Sequence, residues 1–315
     1  MRLVFLGTPA FAVPTLERVV EAGHQVLAVV TQPDRPRGRG QHPAPPPVKE
    51  AAARMGLKVY QPERVRLPEA VEFLRALGAE VMVVVGYGQI IPQAVIDLAP
   101  LGIVNVHASL LPKYRGAGPV QWAILNGETR TGVTTMRIDA GLDTGDMLLK
   151  TGTEIGPEEN AVDLGKRLAA MGADLLVKTL AGLAAGTIVA EKQEASQATY
   201  ARLLKKEDGI VDWTEAAQSI HNRVRGLQPW PGAYTTFRGQ TLHIWKSRLA
   251  PEPRADGACR APGRISAVKP LVVSCGSGAL ELLEVQLEGR KRISAADFAN
   301  GQRLTDNEDI GGPRL

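Results

Sequence analysis

The first half of the chain alternates continuously apolar runs with amphipathic segments, and this alternation limits the possible folds more than any other feature. The apolar runs include RLVFLG at 2–7, EVMVVVGYG at 80–88 and GIVNVHAS at 102–109. Strands that are apolar throughout are typical of parallel sheets, because helices cover both faces of such a sheet. With right-handed crossovers, the pattern predicts an α/β, Rossmann-like, doubly wound and mostly parallel sheet, with ligands beyond the carboxyl ends of its strands.

The turn after the first apolar run excludes one large class of enzymes with this rhythm. It reads Gly7-Thr8-Pro9-Ala10-Phe11 and holds a single glycine. A dinucleotide-binding fingerprint needs several glycines, because the backbone must approach the pyrophosphate closely. A nicotinamide-dependent dehydrogenase is therefore rejected.

The rhythm changes in the second half of the chain. A long amphipathic helix is predicted over 160–186, and the residues after it read as an extended connector. From residue 205 onward, one helix is followed by short β-rich runs separated by glycine and proline, which is typical of a small β-barrel. We therefore predict a catalytic domain at 1–188, a linker at 189–204 and a small, OB-like β-barrel domain at 205–315.

Composition predicts the setting of the protein. With 44% hydrophobic residues in 315, the chain can bury the cores of two globular domains. Cys259 and Cys275 lack the spacing of a zinc or redox site, and no signal peptide or run of 18 apolar residues is present. We expect a cytoplasmic protein with no metal and no membrane association, and nothing in the sequence demands more than a monomer.

Charge gives a weak indication of a polyanionic partner. The net charge is only +4, and residues 205–315 hold 16 lysines and arginines against 13 acidic residues. A mildly basic segment suits a nucleic acid but is also ordinary surface chemistry.

The densest polar cluster is Asn105-Val106-His107-Ala108-Ser109, at the end of a predicted strand. Asn105 and His107 are two residues apart, so their side chains lie on one face of the strand. A lone histidine would more simply be a core residue. A polar pair on one face, at the strand end where α/β sheets bind their ligands, favours a functional site.

Two further segments carry charge in a pattern that suits chemistry. The turn at 139–146 holds three carboxylates but lacks the closing glutamate of a calcium-binding loop, so a carboxylate directed at a histidine is the more economical use. The stretch Arg35–Gly40 alternates arginine with proline and glycine. Composition alone predicts a flexible, solvated loop, and such a cationic loop is also suited to phosphate binding.

These segments together resemble the folate-dependent formyltransferases. The resemblance lies in NVHASLLPKYRGAGPVQWAILNG with DAGLDTGDM, and it extends to TQPDRPRGRG, GYGQIIP and DWTEAAQSIHNRVRGLQPWPGAYTTF, so that it covers nearly the whole chain. The arginine loop and the C-terminal segment are similar to the members of the family that act on tRNA.

The resemblance implies roles for individual residues. The catalytic residues would be Asn105, His107 and Asp143. The folate pocket would be formed by Ser109, Leu110, Leu111, Pro112, Tyr87, Gln89, Ile90, Ile91, Asp139, Gly141 and Leu142. The basic residues that we expect to contact tRNA are Arg35, Arg37, Arg39, Lys205, Lys206, Arg223, Arg225, Arg290, Lys291 and Arg292.

The resemblance also implies a reaction. The formyl group of 10-formyltetrahydrofolate would pass directly, through a tetrahedral intermediate, to the amine of a methionyl initiator tRNA. Asn105 would stabilise the oxyanion, His107 would bind the same oxygen and move protons, and Asp143 would orient His107. Two alternatives stay open: a related transferase or hydrolase acting on a nucleotide or sugar-nucleotide amine, and a tRNA-binding protein without activity.

Overall fold

The computed structural model describes residues 1–37, 42–251, 261–306 and 308–311. The chain divides into two compact units that are not simple halves. The first comprises Met1–Pro119, Arg130–Thr153 and Gly165–Ala201; the second comprises Val120–Thr129, Glu154–Leu164 and Arg202–Leu315. Residues 189–201, which the sequence predicts to lie in a linker, thus belong to the first unit.

The first unit is built on a seven-stranded sheet. The strands up to residue 201 are β1 Arg2–Gly7, β2 Gln25–Val30, β3 Arg35–Arg37, β4 His42–Ala44, β5 Val59–Tyr60, β6 Val81–Val85, β7 Ile103–His107, β8 Arg115–Gly116, β9 Arg130–Arg137, β10 Met147–Glu154 and β11 Tyr200–Ala201. The sheet order is β10-β9-β7-β6-β1-β2-β5. The strands from β7 to β5 are paired in parallel, and β9 runs antiparallel to β7.

Helices cover this sheet. They are α1 Val13–Glu21, α2 Pro47–Arg54, α3 Pro68–Leu77, α4 Gln93–Ile96 and α6 Ala161–Ala185. The other elements up to residue 201 are 3-10 turns at Ala10–Ala12 and Ala195–Gln197 and the helix α5 Pro119–Leu125, most of which belongs to the second unit. Helices α1, α2 and α3 each carry a proline in the first turn. Backbone N–H groups in the first turn have no hydrogen-bond partner within the helix, so a residue without an N–H is tolerated there. The two faces of the sheet are therefore covered as the apolar strands predict.

Helix α6 is, within the described residues, the one helix long and apolar enough by length and composition to cross a membrane. Its apolar side chains Leu168, Leu176 and Leu180 are fully buried. A Cβ at Gly172 would lie 2.8 Å from Cγ1 of Val106, so glycine allows the helix to approach β7 closely. These contacts are those of a core helix.

The second unit is organised around an antiparallel sheet. Its further elements are α7 Ala217–Gly226, β12 Ala233–Phe237, β13 Gln240–Leu249, β14 Ile265–Ala267, β15 Val272–Ser274, β16 Ala279–Leu287, β17 Ile293–Ser294, α8 Ala295–Gln302 and a 3-10 turn at Lys206–Gly209. The order is β12-β13-β16-β15-β14, with β17 paired to β16. Trp213, Ile220 and Phe298 belong to its buried core. The predicted fold class, a mostly parallel α/β sheet followed by a small β domain, is confirmed.

Candidate active site

Asn105 and His107 lie at the carboxyl end of β7, an interior strand of the seven-stranded sheet. Because side chains alternate along a strand, both project from one face, while Val104 and Val106 project from the other, toward α6. Asn105 is 9% exposed and His107 is 6% exposed. Among hydrogen bonds between described residues, none involves the side-chain amide of Asn105. Its N–H groups are therefore available to a ligand.

The ring of His107 is fixed between a carbonyl and a carboxylate. Its Nε2 atom lies 2.8 Å from the backbone oxygen of Tyr114, and its Nδ1 atom lies 3.7 Å from Oδ2 of Asp143. A carbonyl oxygen can only accept, so Nε2 carries the proton in this bond. In the neutral ring Nδ1 is then unprotonated, and it faces the carboxylate across a gap that one proton can occupy. The sequence suggests that His107 itself binds the oxyanion, whereas this geometry makes Nδ1 a site for proton transfer.

The carbonyl that holds His107 is fixed by a distant segment. Tyr114 has a φ of 61°, and its N–H donates to Oγ1 of Thr199 at 2.9 Å. The next residues form β8, which pairs in parallel with β11. At Gly116 φ is 112° and a Cβ would lie 2.7 Å from the carbonyl oxygen of Ala201, so this close pairing requires glycine.

Asp143 lies in a tight turn that is stabilised by hydrogen bonds within the acidic loop, residues 139–146. Oδ1 of Asp139 accepts hydrogen bonds from the N–H of Gly141 at 3.0 Å and from the hydroxyl of Thr144 at 2.7 Å. Asp143 has a φ of 51°, an uncommon value for a residue with a side chain. Its Oδ2 atom accepts a 2.7 Å hydrogen bond from the N–H of Gly116. The backbone of β8 thus orients the carboxylate toward His107.

Two residues that sequence reasoning missed connect these parts. The side-chain N–H₂ of Gln193 donates to the backbone oxygens of Asp143 and Gly145, both at 2.8 Å. Its Oε1 atom accepts two bonds from the guanidinium of Arg115, at 3.0 and 2.8 Å. A glutamine in a polar connector gives no local signal of such a role.

The segment predicted to line a folate pocket is rigid. The hydroxyl of Ser109 donates to the backbone oxygen of Lys113 at 2.6 Å, and its own carbonyl accepts from the hydroxyl of Thr134. Ser109 is fully buried, and Leu111 packs in a small cluster with Met136 and Met147. Pro112 follows a cis peptide bond. With its hydroxyl occupied inside the turn, Ser109 is a structural residue and not a nucleophile.

In the second predicted wall of the pocket, Tyr87 and Gln89 have their side chains occupied within the protein. Tyr87 is buried in the core, and burial, followed by the nearby Tyr60, raises its pKa to about 12. The amide of Gln89 accepts from the N–H of Val65 and donates to the oxygen of Glu63. The Gln89 amide thus connects two stretches of backbone, and the contribution of this residue to a folate pocket stays a prediction.

Apolar side chains on this wall and on the acidic turn are exposed. Ile90 is 92% exposed and Leu142 is 61% exposed, whereas Ile91 is buried. Leu110 is partly buried and lies against Gly132. Large apolar side chains that are this exposed are candidates to contact a ligand.

The described residues on either side of positions 38–41 form two short strands. Arg35–Arg37 and His42–Ala44 pair as an antiparallel hairpin, and Arg35 is exposed. Arg39 lies outside the described residues. At the root of the hairpin, the ammonium of Lys49 binds both carboxylate oxygens of Asp34, at 2.8 and 2.7 Å. The hairpin therefore begins from a fixed point.

The predicted basic residues of the second unit fall into two groups. Arg225 is 7% exposed, and its guanidinium donates to the side chain of Asn222 and to the backbone oxygens of Gly156 and Glu159. Arg223 donates to the oxygen of Asp208 and pairs with Glu215. The guanidinium of Arg225 is occupied in the interior of the unit, so the expectation that it contacts a phosphate is corrected. Arg223 is partly exposed, and its contact with tRNA stays a prediction.

The other basic residues of this group are exposed: Lys205, Lys206, Arg290, Lys291 and Arg292. Arg292 pairs with Glu284 and lies over the ring of Trp245. Across the described ranges, no group of three or more histidine, cysteine, aspartate or glutamate side chains could hold a metal ion.

Comparisons with known proteins agree along the whole chain. Residues 1–180 match the family model described as formyl transferase, and residues 203–303 match the model of the formyl transferase C-terminal domain. The chain is 77% identical over 315 residues to a methionyl-tRNA formyltransferase of Solibacter usitatus, with 100% of each chain covered. It is 54% identical to that of Koribacter versatilis and 51% identical to that of Geobacter metallireducens, with 99% of each chain covered in both pairs.

Solved structures with low sequence identity share the fold. An N-formyltransferase of Helicobacter canadensis, in complex with folinic acid and dTDP-3-aminofucose, has a TM-score of 0.64 at 21% identity and covers 89% of this chain and 98% of its own. HypX of Aquifex aeolicus in complex with tetrahydrofolic acid has a TM-score of 0.66 at 15% identity, covering 98% of this chain and 48% of its own.

Proposed function

This chain belongs to the methionyl-tRNA formyltransferase family, and from that premise we propose that it moves the formyl group of 10-formyltetrahydrofolate to the amino group of methionyl initiator tRNA. The observation that carries the proposal is the pairing of His107 with Asp143 beside the unpaired amide of Asn105. A full-length relative at 77% identity supports the choice of acceptor.

Asn105 supplies the stabilisation of charge. When an amine attacks a formyl carbon, negative charge develops on the formyl oxygen. A donor that is already positioned in a buried site loses little in reorganisation, and one such donor contributes on the order of 10²–10³ in rate. The free side-chain N–H of Asn105, at 9% exposure, suits this role.

His107 and Asp143 handle the protons. The attacking amine must lose a proton, and the departing nitrogen must gain one. Nδ1 of His107 can take a proton while the carboxylate of Asp143, 3.7 Å away, stabilises the imidazolium that results. The bond from Nε2 to the oxygen of Tyr114 keeps the ring in place through both transfers.

The formyl donor fits the apolar rim. Ile90 and Leu142 expose large apolar surfaces close in sequence to the fixed backbone of Tyr87–Ile91 and Asp139–Asp143. A reduced pterin offers a flat ring with polar edges, which apolar side chains and backbone groups together can bind. The donor supplies the formyl group, and the residues of this rim would orient it. We propose that Ser109–Pro112 line this pocket through their backbone, and that no metal is needed.

The acceptor fits the exposed cations. Arg35, with Arg37 and Arg39 in the same loop, would contact the acceptor end of the tRNA, and Lys205, Lys206, Arg290, Lys291 and Arg292 would contact its backbone. Phosphate contacts of this kind give affinity that falls steeply with salt. We also propose that the protein acts as a cytoplasmic monomer without membrane contact.

A second candidate is formyl transfer to a sugar-nucleotide amine, since the Helicobacter canadensis structure has the same fold. The basic hairpin favours tRNA, because a small nucleotide has no use for a phosphate-binding loop of this length. A tRNA-binding protein without activity is opposed by the intact His107–Asp143 pair.

The test is transfer of labelled formyl from 10-formyltetrahydrofolate to methionyl initiator tRNA by the wild type, His107→Ala and Arg39→Ala. We expect an active wild type, a nearly inactive histidine variant, and an arginine variant weakened mainly in KM for tRNA. Release of formate, or formylation of a small amine alone, would leave the folate chemistry standing and overturn the tRNA assignment.

A further inference from the structure

A closed ring of contacts surrounds the carboxylate of Asp143. Gln193 donates to the backbone oxygens of Asp143 and Gly145 and accepts from the guanidinium of Arg115. The residue after Arg115 is Gly116, whose N–H binds Oδ2 of Asp143. One side chain therefore fixes both the backbone from which the carboxylate projects and the strand that binds its oxygen.

The turn needs such support. Asp143 has a φ of 51°, a left-handed conformation that is strained for a residue with a side chain. Such a conformation persists only when surrounding contacts hold it. Within the described residues, the hydrogen bonds that hold the Asp143 and Gly145 carbonyls from outside the turn come from Gln193.

The partner of Gln193 is itself unusual. Arg115 is 5% exposed, and in the described part of the chain its guanidinium hydrogen-bonds to the neutral Oε1 of Gln193. A buried cation is normally paired with a carboxylate, because desolvation is costly. Here the cation instead polarises the amide of Gln193, which strengthens the two bonds that its N–H₂ donates.

We infer that Gln193 is a positioning residue for the formyl transfer, acting through the Asp143 turn on the proton carried between Asp143 and His107. This inference rests on the proposed function. Gln193 touches neither the reacting atoms nor a substrate. Its removal lets the turn relax, which moves the carboxylate away from Nδ1 of His107.

The test compares Gln193→Glu with Gln197→Glu in steady-state formylation assays over a range of pH. The glutamate at 193 can still accept from Arg115 but cannot donate to the two carbonyls, whereas Gln197 is exposed and makes no side-chain hydrogen bond with described residues. We expect kcat of the 193 variant to fall by roughly 10–100-fold with each KM within about threefold of wild type, because small misplacements act on the chemical step.

The pH profile separates positioning from a loss of folded protein. Displacement of the Asp143 carboxylate should shift the pH dependence of kcat, whereas a loss of folded protein lowers kcat by the same factor at every pH. Gln193→Met, similar in volume and uncharged, removes all the polar contacts and replaces the glutamate variant if that one does not fold. It should give the same loss of kcat and the same shift.

Two outcomes would overturn the inference alone: an active wild type whose 193 variants keep kcat within about twofold, or variants that lose folded protein with an unchanged pH profile. A wild type that transfers no formyl to methionyl-tRNA would instead overturn the proposed function, so the two failures are distinguishable.

Discussion

His107 presents Nδ1 to Oδ2 of Asp143 at 3.7 Å because its other nitrogen is held by the backbone oxygen of Tyr114. The ring cannot rotate toward or away from the carboxylate without breaking that 2.8 Å bond. The gap is longer than a hydrogen bond, so a proton arriving at Nδ1 is what would draw the pair together. We therefore expect formyl transfer to be more sensitive to the position of the Asp143 carboxylate than to the position of the ring, which is already fixed.

Replacing Asp143 with asparagine should therefore stop the chemistry and spare the fold. The amide oxygen can still accept from the N–H of Gly116, but it cannot stabilise an imidazolium. We expect kcat to fall by about 10²–10⁴-fold, the usual contribution of positioned acid–base groups. Single-turnover assays of formyl transfer measure this loss of rate. Asp146→Asn in the same acidic loop is the matched control. Equal losses in both variants would contradict the role of Asp143.

Replacing Asn105 with aspartate should be more damaging than replacing it with alanine. Alanine removes one oxyanion donor, which costs on the order of 10²–10³ in kcat. Aspartate has nearly the same shape but puts negative charge where negative charge develops. The two variants are compared by kcat at saturating substrates. If aspartate were the better tolerated, Asn105 would not be the oxyanion donor.

Replacing Arg35 with alanine should change the salt dependence of tRNA binding. Each phosphate contact contributes about 0.9 to the slope of log K against log salt on a duplex. We expect a slope lower in magnitude by about one, with KM for the formyl donor unchanged. Filter binding between low and physiological salt gives the slope. Arg75, which pairs with Glu72 on the surface of α3, provides the control substitution; a similar change there would show a general charge effect.

Arg225 and Arg290 should separate stability from binding. Arg225→Ala removes a buried guanidinium that donates to the side-chain oxygen of Asn222 and to the backbone oxygens of Gly156 and Glu159, and we expect a loss of about 2–4 kcal/mol in the free energy of unfolding. Arg290→Ala, on the surface, should leave stability unchanged and weaken tRNA binding. Urea unfolding and tRNA titration of both variants test this; a stable Arg225→Ala protein with weakened tRNA binding would restore its original assignment.

The second unit should lose stability as the pH falls below neutrality. Burial lowers the pKa of His221 and of His243 from 6.5, so the unfolded chain binds these protons first. Their stabilisation is present above about pH 6.5 and is lost as the pH falls through the folded-state values. Urea midpoints at pH 7.5 and 5.5 measure the loss, which should be smaller in His221→Gln. An equal loss in that variant would exclude His221 as a source.

The sequence predicts the sheet well where both faces are buried and less well at its margins. The strands at 2–7 and 102–109 and the helix at 160–186 were predicted to within a few residues, because their apolar patterns are continuous. The sequence pattern missed β10, whose outer half alternates buried and exposed residues, and the short helices α5 and α8. These elements carry too little apolar periodicity to stand out from a loop.

The site divides in the same way. Asn105 and His107 are readable as a pair because a strand places alternate residues on one face. The sequence does not predict three groups that position the site: the oxygen of Tyr114, the N–H of Gly116 and the side chain of Gln193. Backbone groups leave no sequence pattern, and the partners of these residues lie up to 85 residues away. The burial of Arg225 was likewise hidden, since arginine on an amphipathic helix is normally exposed.

The pairing of β8 with β11 has a consequence for the protein during its synthesis on the ribosome. Asn105, His107 and Asp143 are all synthesised before Gln193, Thr199 and β11, yet the carbonyl and the turn that hold them depend on those later residues. If Asn105, His107 and Asp143 act as proposed, a chain that ends at residue 188 holds all three side chains but lacks the later contacts that position them. We expect such a chain to be inactive in formyl transfer until the segment through Ala201 has been made.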